Sequence, residues 1–325
     1  MNPPIPPDLS DVLEARKRIA PFLPRTPFRR YPSLESELGC QVFVKHENHN
    51  PTGAFKVRGG IALVSKLQPH EKKSGVISAS TGNHGQSIAH AGSLFGVKTT
   101  IVVPEAANPT KIAAIRTLGA EVIHRGVDFD EARQHVEELS REKGYRYIHS
   151  ANEPLLIAGV ATYALEMLEA EPDLDTVLVP VGGGSGAAGC GLVMKALAPR
   201  VQVIGVQAAG APAAYLSWKE GQAKEAGCST FAEGLATRAS FELTQGMLRE
   251  HLDDFVLVGE EELRGAILLY LEKTGALAEG AGAAPLAAAV KLRERLQSKK
   301  VGLVLSGGNL SLEKLRWVLG SGNSE

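Results

Sequence analysis

The sequence predicts an α/β protein built from two open, mostly parallel sheets, and three observations lead there. Short runs rich in β-branched residues recur along the 325-residue chain. Alanine-rich helical segments lie between several of them. The runs are apolar almost without interruption, which marks strands covered on both faces, the condition of a parallel sheet flanked by helices.

In chain order the strand runs are QVFVK (41–45), GVISAS (75–80), TTIVVP (99–104) and AEVIHRG (120–126), then TVLVPV (176–181), VQVIGVQ (201–207), DFVLVG (254–259) and VGLVLSGG (301–308). The helical segments are GQSIAHAGSLFG (85–96), PTKIAAIRTLG (109–119), FDEARQHVEELSREKG (129–144) and GAAGCGLVMKALA (186–198). HSANEPLLIAGVATYALEML (149–168) reads as a loop and then a helix that restarts the chain after one α/β block. A smaller α/β domain is therefore placed at residues 50–150, inserted into a larger one made of 1–49 and 151–325. There is no internal repeat and no low-complexity linker.

Composition narrows the function classes. A formal net charge of −1 gives no electrostatic reason to bind nucleic acid or an anionic membrane. Aromatic residues are only 5% of the chain, too few for a base-stacking platform. Cys40, Cys190 and Cys228 are far apart and form no CxxC pair, which argues against a zinc knuckle or a dithiol site and fits a reducing compartment. The proline-rich start MNPPIPPDLS lacks the charged and apolar parts of a signal peptide, and no run is long and apolar enough to span a bilayer. The expectation is a cytoplasmic protein acting on a small molecule.

Three polar, glycine-rich loops follow predicted strands: Ser80-Thr81-Gly82-Asn83-His84-Gly85, Gly182-Gly183-Gly184-Ser185-Gly186, and Ser306-Gly307-Gly308-Asn309. In open α/β sheets ligands bind beyond the carboxyl ends of the strands. The second loop is the most informative. Its glycines let backbone N–H groups converge, and a helix N-terminus follows at once, which makes an anion site suited to phosphate. A tight turn packing helix on strand is the plainer alternative. Gly184 to Gly189 also matches the GxGxxG dinucleotide fingerprint of an NAD-dependent oxidoreductase. That fingerprint needs an acidic residue at the end of the next strand, and the next strand ends Gly205-Val206-Gln207. A P-loop is excluded, because no glycine loop carries the Lys-Ser/Thr pair.

One lysine stands in a constrained setting. Lys56 follows Phe55 in ENHNPTGAFKVRGG (47–60), read as a loop. An amine that attacks a carbonyl must be partly neutral, and an apolar setting depresses a lysine pKa toward that state. A snorkelling surface lysine is the alternative for Lys56 taken alone.

In order, PTGAFKVRGG, SASTGNHGQS, VGGGSGAAG, AEGAGAAPLA and LSGGN resemble the motifs of the fold-type II pyridoxal-phosphate (PLP) enzymes, whose fold is tryptophan synthase β-like with the cofactor between two domains. The threonine/serine dehydratase and serine racemase family is the best match, from about Pro21 to Val318. The resemblance implies that Lys56 is the Schiff-base lysine and the base that takes the Cα proton, with Phe55 beside the cofactor. It implies that Asn83 bonds the pyridine 3′-oxygen and that Ser80, Thr81, Gly82, Asn83 and His84 receive the substrate carboxylate. Gly182, Gly183, Gly184, Ser185 and Gly186 correspond to the phosphate loop. The resemblance likewise implies that Ser306 faces the pyridine nitrogen and that Glu279 lies near the cofactor.

The implied activity is dehydration and deamination of L-threonine or L-serine to a 2-oxo acid and ammonia, in a homodimer. Alternatives are 3-hydroxyaspartate or phenylserine dehydration and serine racemisation; Thr81 keeps the hydroxyl that racemisation needs on the second face but adds a methyl. Ala54 stands where the family usually has serine, and Ser185 stands at the fourth place of a loop that often has four glycines. The resemblance also implies a cation, Mg²⁺, Ca²⁺ or K⁺, at Glu233 and the Ala232 carbonyl in TFAEG, although the second carboxylate is replaced by Ser229. His46 and His49 are read as solvated loop residues. Only LSLEKLRWVL follows the last glycine loop, so no C-terminal regulatory domain is expected.

Overall fold

The apolar runs become strands. The computed structural model describes residues 4–80, 82–107, 109–127 and 129–320; Thr81 lies outside them. Among the described residues the strands are β1 (Phe28–Arg30), β2 (Gln41–His46), β3 (Val76–Ala79), β4 (Thr99–Val103), β5 (Glu121–His124), β6 (Arg146–Tyr147), β7 (Thr176–Pro180), β8 (Gln202–Ala208), β9 (Asp254–Val258) and β10 (Lys300–Leu305). All eight predicted strands form. The sequence reading missed β1, whose three residues include two exposed arginines, and β6, which has two residues.

The chain divides into two units, the larger made of Arg25–Phe55 and the chain from Tyr163 on. Its sheet has the order β1-β2-β10-β7-β8-β9. Only the edge strand β1 is antiparallel, with Phe28 opposite Lys45. The central strands β7 and β10 are buried on both faces, as continuous apolar runs require. Helix Gly280–Lys291 packs small residues such as Ala283 and Ala287 into the same core as Leu178 and Leu303. Inside this unit Lys45 is fully buried and pairs with Glu166 at 2.5 Å while donating to the Thr26 carbonyl at 2.8 Å.

The smaller unit takes the chain up to Pro24 and Lys56–Thr162. Its sheet, β5-β4-β3-β6, is parallel throughout. The sequence reading put residues 1–49 in the larger domain; the first 24 group with the smaller unit. The cause is helix Leu9–Ile19, whose buried stripe Val12, Ala15 and Ile19 packs there, toward helix Lys56–Ser65. The last of the three boundaries falls within helix Pro154–Ala170, between Thr162 and Tyr163, where no change of composition marks it. No described helix is long and apolar enough to cross a membrane, and the three cysteines are unpaired.

Candidate functional site

The residues that lead to Lys56 are laced to the third glycine loop. Asn309 donates its amide to the Thr52 carbonyl at 2.8 Å, and the Gly308 N–H donates to the Gly53 carbonyl at 2.9 Å. Ala54 forms an antiparallel bridge with Gly307, and the Phe55 N–H donates to the Ser306 carbonyl at 2.9 Å. Gly53 has φ +68°, and a Cβ there would lie 2.4 Å from the Asn309 side-chain oxygen, so glycine is required. Two loops some 250 residues apart in sequence are thus one short ribbon, in which Phe55 is the partner of buried Ser306.

Lys56 is the next residue. It opens helix Lys56–Ser65 instead of lying in a loop, a correction to the sequence reading. Ser87 Oγ donates to the Lys56 carbonyl at 2.6 Å, and Lys56 Nζ donates to the Ser150 carbonyl at 3.1 Å. Burial pushes its amine down to about 8, as an amine that must be partly neutral requires.

On the same unit, the loop after β3 enters helix Asn83–Phe95. Ser80 is buried, and its oxygen accepts from the N–H groups of Gly82 (3.2 Å) and Gly85 (2.9 Å). Ser80 therefore shapes the loop from within. His84 is buried behind it: Ser78 Oγ donates to the Ile148 carbonyl at 2.8 Å, so its oxygen accepts from His84 Nε2 at 3.0 Å. Burial, then the Lys56 charge, lowers the His84 pKa to about 3, and the ring stays neutral. Asn83 is the first helical residue.

The predicted phosphate loop lies between β7 and helix Ser185–Leu197. Gly184 precedes that helix with φ +91°. The first N–H groups of a helix have no intrahelical acceptor and carry its positive end. The loop is braced around its edge by hydroxyls: Thr244 donates to the Gly183 carbonyl and Tyr163 to the Gly186 carbonyl, both at 2.8 Å. A Cβ on Gly182 would sit 2.1 Å from the Gly234 carbonyl oxygen, and one on Gly186 would sit 3.2 Å from the Phe55 ring. Phe55, the phosphate loop and Ser306 are therefore brought together in the larger unit.

Glu279 precedes helix Gly280–Lys291, and its N–H donates to the Gly307 carbonyl at 3.0 Å. Ala232 is buried and Glu233 exposed. The expected cation does not fit there. The Glu233 carboxylate is bonded by the Lys314 ammonium, and no cluster of three or more metal-ligating side chains occurs among the described residues. His46 ends β2 and is buried, hydrogen-bonded through Nε2 to the Tyr31 hydroxyl at 2.8 Å, so only exposed His49 is solvated.

Sequence reasoning missed several residues around these loops. His149, whose Nδ1 accepts from the N–H groups of Ala151 and Asn152 at 3.0 Å, has its pKa lowered to about 4 by burial, then by the charges of Arg133 and Lys56. Tyr163, Thr244 and Lys314 lie on helices far along the chain from the loops they hold. No local pattern distinguishes them from ordinary helix residues.

A family model described as pyridoxal-phosphate dependent enzyme matches residues 19–307. Over 316 residues the chain is 38% identical to the L-threonine ammonia-lyase of Thermotoga maritima, covering 97% of this chain and 78% of that one. The structure is similar to the processed threonine deaminase isoform 2 of Solanum lycopersicum, with TM-score 0.91, 31% identity, and 99% of this chain and 96% of that one covered. It is also similar to the serine racemase of Dictyostelium discoideum, with TM-score 0.89, 32% identity, and coverage of 94% and 99%.

Proposed function

This chain belongs to the family of pyridoxal-phosphate dependent enzymes, and from that premise we propose that it is an ammonia-lyase for L-threonine and L-serine. Each substrate loses its Cα proton, its β-hydroxyl and its nitrogen and gains the oxygen of one water, so that L-threonine gives 2-oxobutyrate and ammonia. The observation that carries the proposal is Lys56: an amine depressed by burial, one peptide bond from a ribbon laced to Ser306. The similarity to L-threonine ammonia-lyase over nearly the whole chain supports the substrate class.

The residues present fit the cofactor. Gly182 to Gly186 and the N-terminus of helix Ser185–Leu197 would hold its phosphate, with Phe55 beside it and Glu279 nearby. When bound, the cofactor supplies an electron sink for the carbanion formed at Cα. Lys56 would hold the cofactor through Nζ and, once displaced by the substrate amine, would be free to take the Cα proton. Ser80, Thr81, Gly82, Asn83 and His84 form the loop that orients the substrate carboxylate, with His84 neutral behind it. Ser306 would offer an uncharged hydroxyl to the ring nitrogen. A hydroxyl does not hold that nitrogen protonated, so a long-lived carbanion is disfavoured and prompt loss of the β-hydroxyl is favoured.

The purified protein is expected to show the visible absorbance of a lysine-bound cofactor, which shifts when L-threonine is added while 2-oxobutyrate accumulates. Lys56→Ala is expected to lose that absorbance and to lower turnover by about 10²–10⁴-fold or more. Turnover retained by Lys56→Ala would sink the proposal. Racemisation is the second reading, favoured by the similarity to a serine racemase and by the hydroxyl of Thr81. D-serine formed from L-serine in the same samples would select it.

A further inference from the structure

Helix Leu312–Leu319 grips the loop Phe231–Leu235 with two side chains one turn apart. Lys314 Nζ donates to the Phe231 carbonyl at 3.1 Å and to the Glu233 carboxylate. The Trp317 ring meets the Phe231 ring edge-on with centroids 4.8 Å apart, and the Arg264 guanidinium lies 5.7 Å from the Trp317 centroid. The gripped loop is itself a support. Its Gly234 carbonyl is so close to Gly182 that a Cβ on Gly182 would come within 2.1 Å of it. Ala232, in turn, lies where a Cβ on Gly280 would be 2.7 Å away, at the start of the helix that Glu279 precedes. Burial lowers the Lys314 pKa, and the charges of Glu279, then Glu313, oppose that shift.

A carbonyl and a carboxylate converging on one positive charge are the donors of a hard cation. An ammonium brings the same single charge and three N–H donors to the same oxygens. Ser229, four residues before Glu233, offers no carboxylate, so a divalent ion would find little compensating charge. A charge that arrives on a side chain also needs no free ion to be captured and held.

We propose that the Lys314 ammonium is a tethered resident cation: it fixes the loop Phe231–Leu235 against the phosphate loop and makes a free metal ion unnecessary there. The role of the phosphate loop rests on the pyridoxal-phosphate reading; the cation itself is tested without it.

The test is the melting temperature of the cofactor-loaded protein at constant ionic strength. Samples are dialysed into tetramethylammonium chloride and then given K⁺, NH₄⁺, Mg²⁺ or Ca²⁺. The native chain is expected to be indifferent to all four. Lys314→Ala is expected to melt lower by about 2 °C or more, and NH₄⁺ or K⁺ is expected to restore at least half of that loss by refilling the vacated place. Lys314→Arg is expected to retain most of the native value without added ions. Cofactor affinity, titrated by absorbance, is expected to weaken in Lys314→Ala and to recover with NH₄⁺.

Three outcomes overturn the proposal. In one, the native chain is stabilised by a cation as much as Lys314→Ala is. In another, Lys314→Ala melts like the native chain, as an idle surface ion pair would. In the third, Lys314→Ala melts low and no cation restores it, which makes Lys314 a packing contact. Absence of cofactor absorbance in every sample, the native chain included, would sink the proposed function instead, while the cation response of the unloaded proteins would still decide the role of Lys314.

Discussion

Two histidines of the smaller unit, His84 after β3 and His149 after β6, are held as neutral rings by burial. His84 is lowered to about 3 and His149 to about 4 from an ordinary value of 6.5. Between those values and 6.5 the unfolded chain binds more protons than the folded one. Their contribution to stability is therefore complete above about pH 6.5 and is lost as the pH falls toward 4 and then 3. The melting temperature of the cofactor-free protein is expected to fall steadily from pH 7 to pH 4.5 in calorimetry, and His84→Gln is expected to flatten that slope. An unchanged slope in His84→Gln would remove His84 from this account. The histidines also show what one residue's identity conceals: His84 is quoted in a motif, yet its neutrality comes from burial and then from the Lys56 charge.

Between strand and helix, the phosphate loop shows why glycine is needed at one particular position. Gly182 has no room for a side chain because the Gly234 carbonyl oxygen occupies the place of a Cβ. Gly182→Ala must displace either the phosphate loop or the loop Phe231–Leu235. Cofactor affinity is expected to fall about tenfold or more, which corresponds to about 1.4 kcal/mol, in an absorbance titration. Unchanged affinity would show that the phosphate sits elsewhere. The glycine cluster and its place between β7 and a helix were legible in the sequence. The partner that crowds Gly182 was not, because Gly234 lies some 50 residues away with no shared pattern.

For the molecule as a whole, the chain crosses between its two units three times: after Pro24, after Phe55 and inside helix Pro154–Ala170. The same resemblance that implies the cofactor implies a homodimer. Light scattering on the purified protein is expected to give twice the 34.4 kDa of one chain; a monomer mass at micromolar concentration would contradict it.

Sequence by itself determined the α/β class, all eight of the longer strands and the three glycine loops at strand ends, and it singled out Lys56 for the proposed chemistry. These follow from local features: runs of β-branched residues, glycines at turns, and motifs a few residues long. Tertiary structure alone decided that Lys56 opens a helix, that its amine is depressed to about 8, and that residues 52–55 are laced to 306–309. It alone put Lys314 on Glu233, 81 residues apart in sequence, where a free cation was expected. Burial and ion pairing depend on which distant segments the packed core brings together, and no short stretch of sequence records that.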